Sequence, residues 1–148
     1  MIALASDHGA YALKESLKKL LDSMGLSYMD FGTNSAESCD YPDFAGPAAL
    51  AVASGKCDRG IVCCTTGIGV SITANKVRGI RCALVGDLMS ARLTREHNDT
   101  NMLAIGAGVT GEMLALKIAE TWLTTEFAGG RHQRRIDMIT AIENGAEL

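Results

Sequence analysis

Hydrophobic residues in this chain come alternately in short solid runs and in stretches spaced three and four apart, the pattern of strands alternating with helices. The run over 2–5 predicts a strand, broken by Ser6, Asp7, His8 and Gly9. After it Ala10, Leu13, Leu17, Leu20, Leu21 and Met24 recur at helical spacing, with Lys14, Glu15, Lys18 and Lys19 on the other side, until Gly25. A second strand is predicted over 28–31. A polar loop then runs through Glu37, Asp40 and Tyr41 to Pro42, long enough to suit a functional role. The alanine-rich stretch 42–54 predicts a helix closed by Gly55, and 60–64 predicts a buried parallel strand. Beyond Gly67 and Gly69, Val70, Ile72 and Val77 predict an amphipathic helix. A fourth strand over 80–85 leads to a short charged helix over 88–96, which runs out at His97, Asn98 and Asp99. A fifth strand over 102–105 precedes a helix of about 112–125. A basic Gly-Gly-Arg-His-Gln-Arg-Arg turn then leads to a last helix over 136–143.

Five strands, each followed by a helix, imply right-handed βαβ units and an α/β fold. The expected architecture is a single-domain, Rossmann-like, doubly wound sheet of five parallel strands over 1–148, with helices on both faces. Ligands of such sheets bind beyond the carboxyl ends of the strands, where Asp7, His8, Cys64, Thr66 and the glycines 106 and 108 are expected.

Composition narrows the function. Hydrophobic residues at 47%, charged residues at 21% and only 2 prolines in 148 residues suit one compact globular domain. The net charge of −3 removes an electrostatic footprint for nucleic acid, so any anion site must be local. The 5 cysteines are odd in number and contain no CxxC, which fits a reducing cytoplasm better than a disulfide framework or a zinc site. No targeting or membrane-spanning segment is visible, and a cytoplasmic location is expected.

The chemistry gathers around Cys64-Thr65-Thr66-Gly67-Ile68-Gly69, a strand, a glycine turn and a helix start. Helix N-termini carry unpaired N–H groups and a positive field, which stabilise an anion or a developing oxyanion and favour a thiolate beside them. A cysteine there can act as nucleophile or base, although most cysteines ending buried strands are only small hydrophobes. A cysteine-phosphatase loop is excluded, since Val70 follows Cys64 by six residues; a Walker loop is excluded because no glycine precedes Lys76. A dinucleotide site has Gly67, Gly69 and Asp87 in its favour, but Ile72 replaces the third glycine. His97 could be a plain helix cap, yet Asn98, Asp99 and Asn101 crowd behind it. Arg131, Arg134 and Arg135, with His132, could be a solvated turn; in an acidic protein they also suit a phosphate monoester. Asp7 and His8 could be no more than a cap, and face the crevice of Cys64. A thiol, backbone donors, a histidine, a carboxylate and an arginine cluster suffice for proton abstraction beside a carbonyl on a small phosphorylated substrate, without redox cofactor or metal.

The segments SDHGAY (6–11), DYPDFA (40–45), GIVCCTTGIGVSITANK (60–76), REHNDTN (95–101) and GGRHQRR (129–135) together resemble the ribose-5-phosphate isomerase B / galactose-6-phosphate isomerase family, in order and across nearly the whole chain. The resemblance implies an aldose–ketose isomerase working through an enediolate on a phosphorylated sugar, foremost ribose 5-phosphate and ribulose 5-phosphate. Galactose 6-phosphate, allose 6-phosphate or a tetrose phosphate are the alternatives. A non-catalytic sugar-phosphate or nucleotide sensor is the other class. By the same resemblance Cys64 matches the base and the backbone of Thr65, Thr66, Gly67, Ile68 and Gly69 the oxyanion loop. His97 matches the ring-opening acid, helped by Asp7 and Thr66, while Tyr41 and Asn98 line the sugar. Arg131 and Arg135, with His8 nearby, match the phosphate site. It implies no cofactor, metal, nucleic acid or membrane, and a homodimer or homotetramer whose sites are completed across the subunit interface. The chain departs from the family twice: Thr65 stands where many members have glycine, and Gly108 where they carry arginine. Arg134 is a candidate to compensate for the second.

Overall fold

The computed structural model of the chain describes residues 1–147. In chain order the elements are β1 (Ile2–Ser6), a 3-10 turn (His8–Ala10), α1 (Tyr11–Ser23), β2 (Tyr28–Asp30), α2 (Pro42–Ala53), β3 (Arg59–Cys64), α3 (Ile68–Asn75), β4 (Cys82–Leu84), α4 (Leu88–Asn98), β5 (Met102–Gly106), α5 (Glu112–Thr124) and α6 (Arg131–Glu143). The five strands form one parallel sheet in the order β2-β1-β3-β5-β4. The expected α/β architecture is therefore the observed one. The chain winds outward from β1 to β2 and returns past it to β3, so strand order reverses between β1 and β3. In a parallel sheet that reversal opens a crevice at the carboxyl ends.

Alternation along the strands sorts the core into two layers. Leu4, Ile61, Cys63, Leu103 and Ile105 face α1 and α5, whose Leu13, Leu17, Leu21, Ile118 and Trp122 cover them. Ala3, Ala5, Val62, Cys64 and Ala104 face α2 and α3, where Ala45, Ala48, Ala49, Val70 and Ala74 pack. Small residues on the second face let α2 and α3 sit close, which brings the first turn of α3 down onto the end of β3.

Two predicted boundaries move. β4 is three residues rather than the expected 80–85, because Ile80 closes a turn onto Val77 and the backbone of Arg81 is taken by the side chain of Asn101. The basic segment expected as a turn before 136 is instead the opening of α6 from Arg131, started by Gly129 and Gly130 at positive φ. Among the described residues no helix is long and apolar enough to cross a membrane.

Candidate active site

Asp7 follows β1 and Cys64 ends β3, the two strands that flank the crevice. The Asp7 N–H donates to the Cys63 carbonyl at 3.1 Å, and its Oδ1 accepts from the Gly9 N–H at 3.0 Å, capping the 3-10 turn. His8 is tied to the long loop: its Nδ1 accepts the Cys39 N–H at 3.2 Å. With that nitrogen accepting, the ring hydrogen lies on Nε2. From the same loop Tyr41 lies over α3, so close that a Cβ on Gly69 would stand 2.7 Å from the ring. Sequence reasoning gave the loop a function; its tie through Cys39 has no sequence signal.

Cys64 is 5% exposed, and its sulfur accepts the Gly67 N–H at 3.1 Å. The turn between them is tight. Gly67 adopts φ 77°, and Thr66 Oγ1 accepts the Ile68 N–H at 3.3 Å. The first-turn N–H groups of α3 have no intrahelical partner, and their field is positive, so the sulfur lies where an oxyanion would be held. Thr65, Thr66 and Ile68 are exposed on this turn. Cys63 points into the opposite layer, and burial pushes its thiol up. Burial likewise pushes the Cys82 thiol up to about 12. Of the three strand-borne cysteines, Cys64 is the one set at a helix start.

The remaining candidates form a second group elsewhere. His97 and Asn98 end α4, which runs back along the sheet from its carboxyl to its amino end. There the Arg81 Nε donates to the Asn98 carbonyl at 2.9 Å, and Arg81 directly precedes β4. Arg95, 3% exposed, fixes this helix end by donating to Asp99 Oδ1 at 2.8 Å and to the Thr100 carbonyl at 2.6 Å. His97 stacks on His132, ring centroids 4.3 Å apart and 15° from parallel. Desolvation, then His97, Arg131 and Arg135, hold the His132 imidazole below its ordinary value. Arg131, Arg134 and Arg135 are exposed, and among the described residues none is in an ion pair with an acidic side chain. This is a cationic, anion-ready cluster. His132, noted in the sequence only as part of a basic run, belongs to it.

One chain thus brings Asp7, His8, Tyr41, Cys64, Thr65, Thr66, Gly67, Ile68 and Gly69 together, and gathers His97, Asn98, Arg131 and Arg135 apart from them.

The family model for Ribose/Galactose Isomerase matches residues 2–139. The chain belongs to that family. It is 55% identical over 143 residues to the putative sugar phosphate isomerase YwlF of Bacillus subtilis, covering 96% of each chain. It is 48% identical over 142 residues to ribose-5-phosphate isomerase B of Escherichia coli, covering 96% of this chain and 95% of that one. The solved structure of Clostridium thermocellum ribose-5-phosphate isomerase B superposes with a TM-score of 0.95 at 53% identity, over 97% of both chains. Family membership makes this chain an aldose–ketose isomerase of sugar phosphates.

Proposed function

We propose that this family member interconverts ribose 5-phosphate and ribulose 5-phosphate through an enediolate. The observation that carries the reading is the Cys64 sulfur, held by the Gly67 N–H where β3 meets the first turn of α3. Cys64 takes the proton from C2 of the open-chain aldose. The C–H electron pair becomes the C1–C2 double bond, and the charge that develops on O1 is held by backbone groups from Thr65 to Gly69. The thiol returns the proton to C1 while the C2 hydroxyl gives up its hydrogen to become the ketone and O1 gains one. His97 opens the sugar ring with help from Asp7 and Thr66; Tyr41 and Asn98 line the sugar. Arg131 and Arg135, with His8 nearby, hold the phosphate as fork-shaped and single donors.

His97, Asn98 and the arginines reach Cys64 from a second copy of the chain, in a homodimer or homotetramer. Exposed Ile68, Ile72, Leu84 and Met89 beside the Cys64 turn, and Met138, Ile139 and Ile142 on α6, support this, since so much apolar surface suits burial against another copy. The five free cysteines suit the reducing cytoplasm, where we place the enzyme.

The test is interconversion of the two pentose phosphates by purified protein, with exchange of the C2 hydrogen in deuterated solvent. Cys64→Ala is expected to lose turnover and exchange by about 10²–10⁴-fold or more while still binding ligand. Activity retained in Cys64→Ala removes the base. Binding without exchange in the unaltered protein makes it a sensor.

A further inference from the structure

Three positions at the mouth of the crevice share one volume. A Cβ built on Gly9 would stand 2.3 Å from Thr65 Oγ1, while its next neighbour, Asp7 Oδ1, is at an ordinary 3.4 Å. A Cβ built on Gly108 would stand 2.8 Å from Thr65 Cγ2 and 3.0 Å from the Thr65 carbonyl oxygen, which accepts the Gly108 N–H at 2.8 Å. Neither Gly9 nor Gly108 is among the glycines at positive φ, so what each lacks is space and not backbone freedom. Thr65 is branched at Cβ: rotating it away from one glycine drives a branch toward the other. Its side chain therefore spans from the turn after β1 to the turn after β5, the two strands on either side of β3.

We propose that Thr65, seated between Gly9 and Gly108, is a specificity-determining residue that closes the β5 side of the crevice above Cys64 and limits the length of sugar phosphate accepted. For its ligand the inference rests on the isomerase reading; for the wedge itself it rests on the contacts alone. The two departures from the family pattern, Thr65 and Gly108, then become one linked change, with Gly9 leaving room for the wedge on its other side. A site bounded this way favours a pentose phosphate over a hexose phosphate, because one added carbon with its hydroxyl meets the wedge. Steric discrimination over a single carbon is commonly worth about 10–200-fold.

Two measurements test it. Thermal unfolding of Gly9→Ala, Thr65→Gly and their double variant reads the wedge without any substrate. The expected result is a lowered Tm for Gly9→Ala alone and no loss when it is added to Thr65→Gly. An equal loss in both backgrounds overturns the wedge. The ratio of kcat/KM for an aldohexose 6-phosphate to that for ribose 5-phosphate reads the specificity. It is expected to rise about tenfold or more in Thr65→Gly, and an unchanged ratio overturns the proposal. If the unaltered protein turns over neither sugar, it is the isomerase reading that fails and the specificity role with it, while the stability cycle still passes or fails the wedge.

Discussion

Cys64 and His97 lie on elements that end at opposite edges of the sheet: Cys64 ends β3 at the carboxyl edge, and His97 is in the last turn of α4, where the carbonyl of the neighbouring Asn98 accepts from Arg81 Nε just before β4. α4 carries the chain back over its 11 residues, a span of roughly 16 Å at the helical rise. A general acid works within hydrogen-bond reach of its oxygen, so under the proposed function the His97 that serves Cys64 comes from a second copy. Cys64→Ala and His97→Asn are each expected to be inactive alone. Co-expressed, they are expected to recover about a quarter of normal turnover, since random pairing makes about half the dimers mixed and each mixed dimer holds one intact site. No recovery above the single variants would put both groups in one chain's site.

The loop that delivers Tyr41 and Cys39 is anchored by a buried ion pair. The Lys14 side chain is wholly buried, its Nζ 2.6 Å from both Asp30 oxygens; Lys18 also pairs with Asp30, and Asp30 Oδ1 accepts the Gly32 N–H at 2.9 Å. Burial alone would raise the Asp30 carboxyl, but the bonds from Lys14, Lys18 and Gly32 outweigh it and hold the group below 3.8. The native state therefore binds fewer protons than the unfolded one. The pair's contribution is complete above about pH 3.8 and is lost as pH falls toward the lower native value. Asp30→Asn leaves the buried Lys14 charge to Glu15 Oε1, 3.7 Å away, and a broken buried pair costs up to about 3–5 kcal/mol at neutral pH. Urea unfolding is expected to show that gap narrowing below about pH 3.8. A gap independent of pH would reject the linkage.

Strand and helix order were legible because apolar runs and three-and-four spacing report directly on burial. The Cys64 turn was legible too, since β-branched residues, then Gly67 and Gly69, encode strand, turn and helix start. The start of α6 was not, because Arg131 to Arg135 are solvated and leave no apolar period; only Ile136 of that helix is buried. A site shared between copies was implied by the resemblance alone, and the residues' own pattern does not encode it for a different reason. Chemistry groups His97 and Arg131 with Cys64, whereas helix direction decides which end of the sheet each one reaches. Contacts between loops and elements, such as Tyr41 on Gly69, follow from tertiary packing and carry no local pattern.

The α6 arginines are expected to act on ligand affinity. Removing a charged hydrogen bond costs about 1.5–3 kcal/mol, so Arg131→Ala and Arg135→Ala should raise the KM for ribose 5-phosphate by about tenfold or more with a smaller effect on kcat. Arg134→Ala should raise KM as well if Arg134 takes over from the arginine that Gly108 replaces. An unchanged KM in Arg134→Ala would leave the phosphate to the other two.

Backbone strain and crowding can be told apart at the turn after Cys64. Gly67 and Gly79 both have positive φ, 77° and 84°. A non-glycine residue there costs about 1–2 kcal/mol from the left-handed conformation alone. The two differ in surroundings: a Cβ on Gly79 has nothing within 4 Å, whereas one on Gly67 would meet Leu84 Cδ1 at 2.5 Å and the backbone at Gly106 N and Ile105 C at 2.9 Å. Leu84 can rotate, but the backbone of β5 cannot move without disturbing the β3–β5 ladder. Gly79→Ala should therefore lose only the conformational cost and keep its turnover. Gly67→Ala should lose more stability and, because the Gly67 N–H would no longer meet the Cys64 sulfur, most of its kcat. Thermal unfolding and pentose phosphate turnover of the two variants decide it; equal stability losses and equal rates would mean that the turn tolerates a side chain and that its closeness to β5 has no catalytic role.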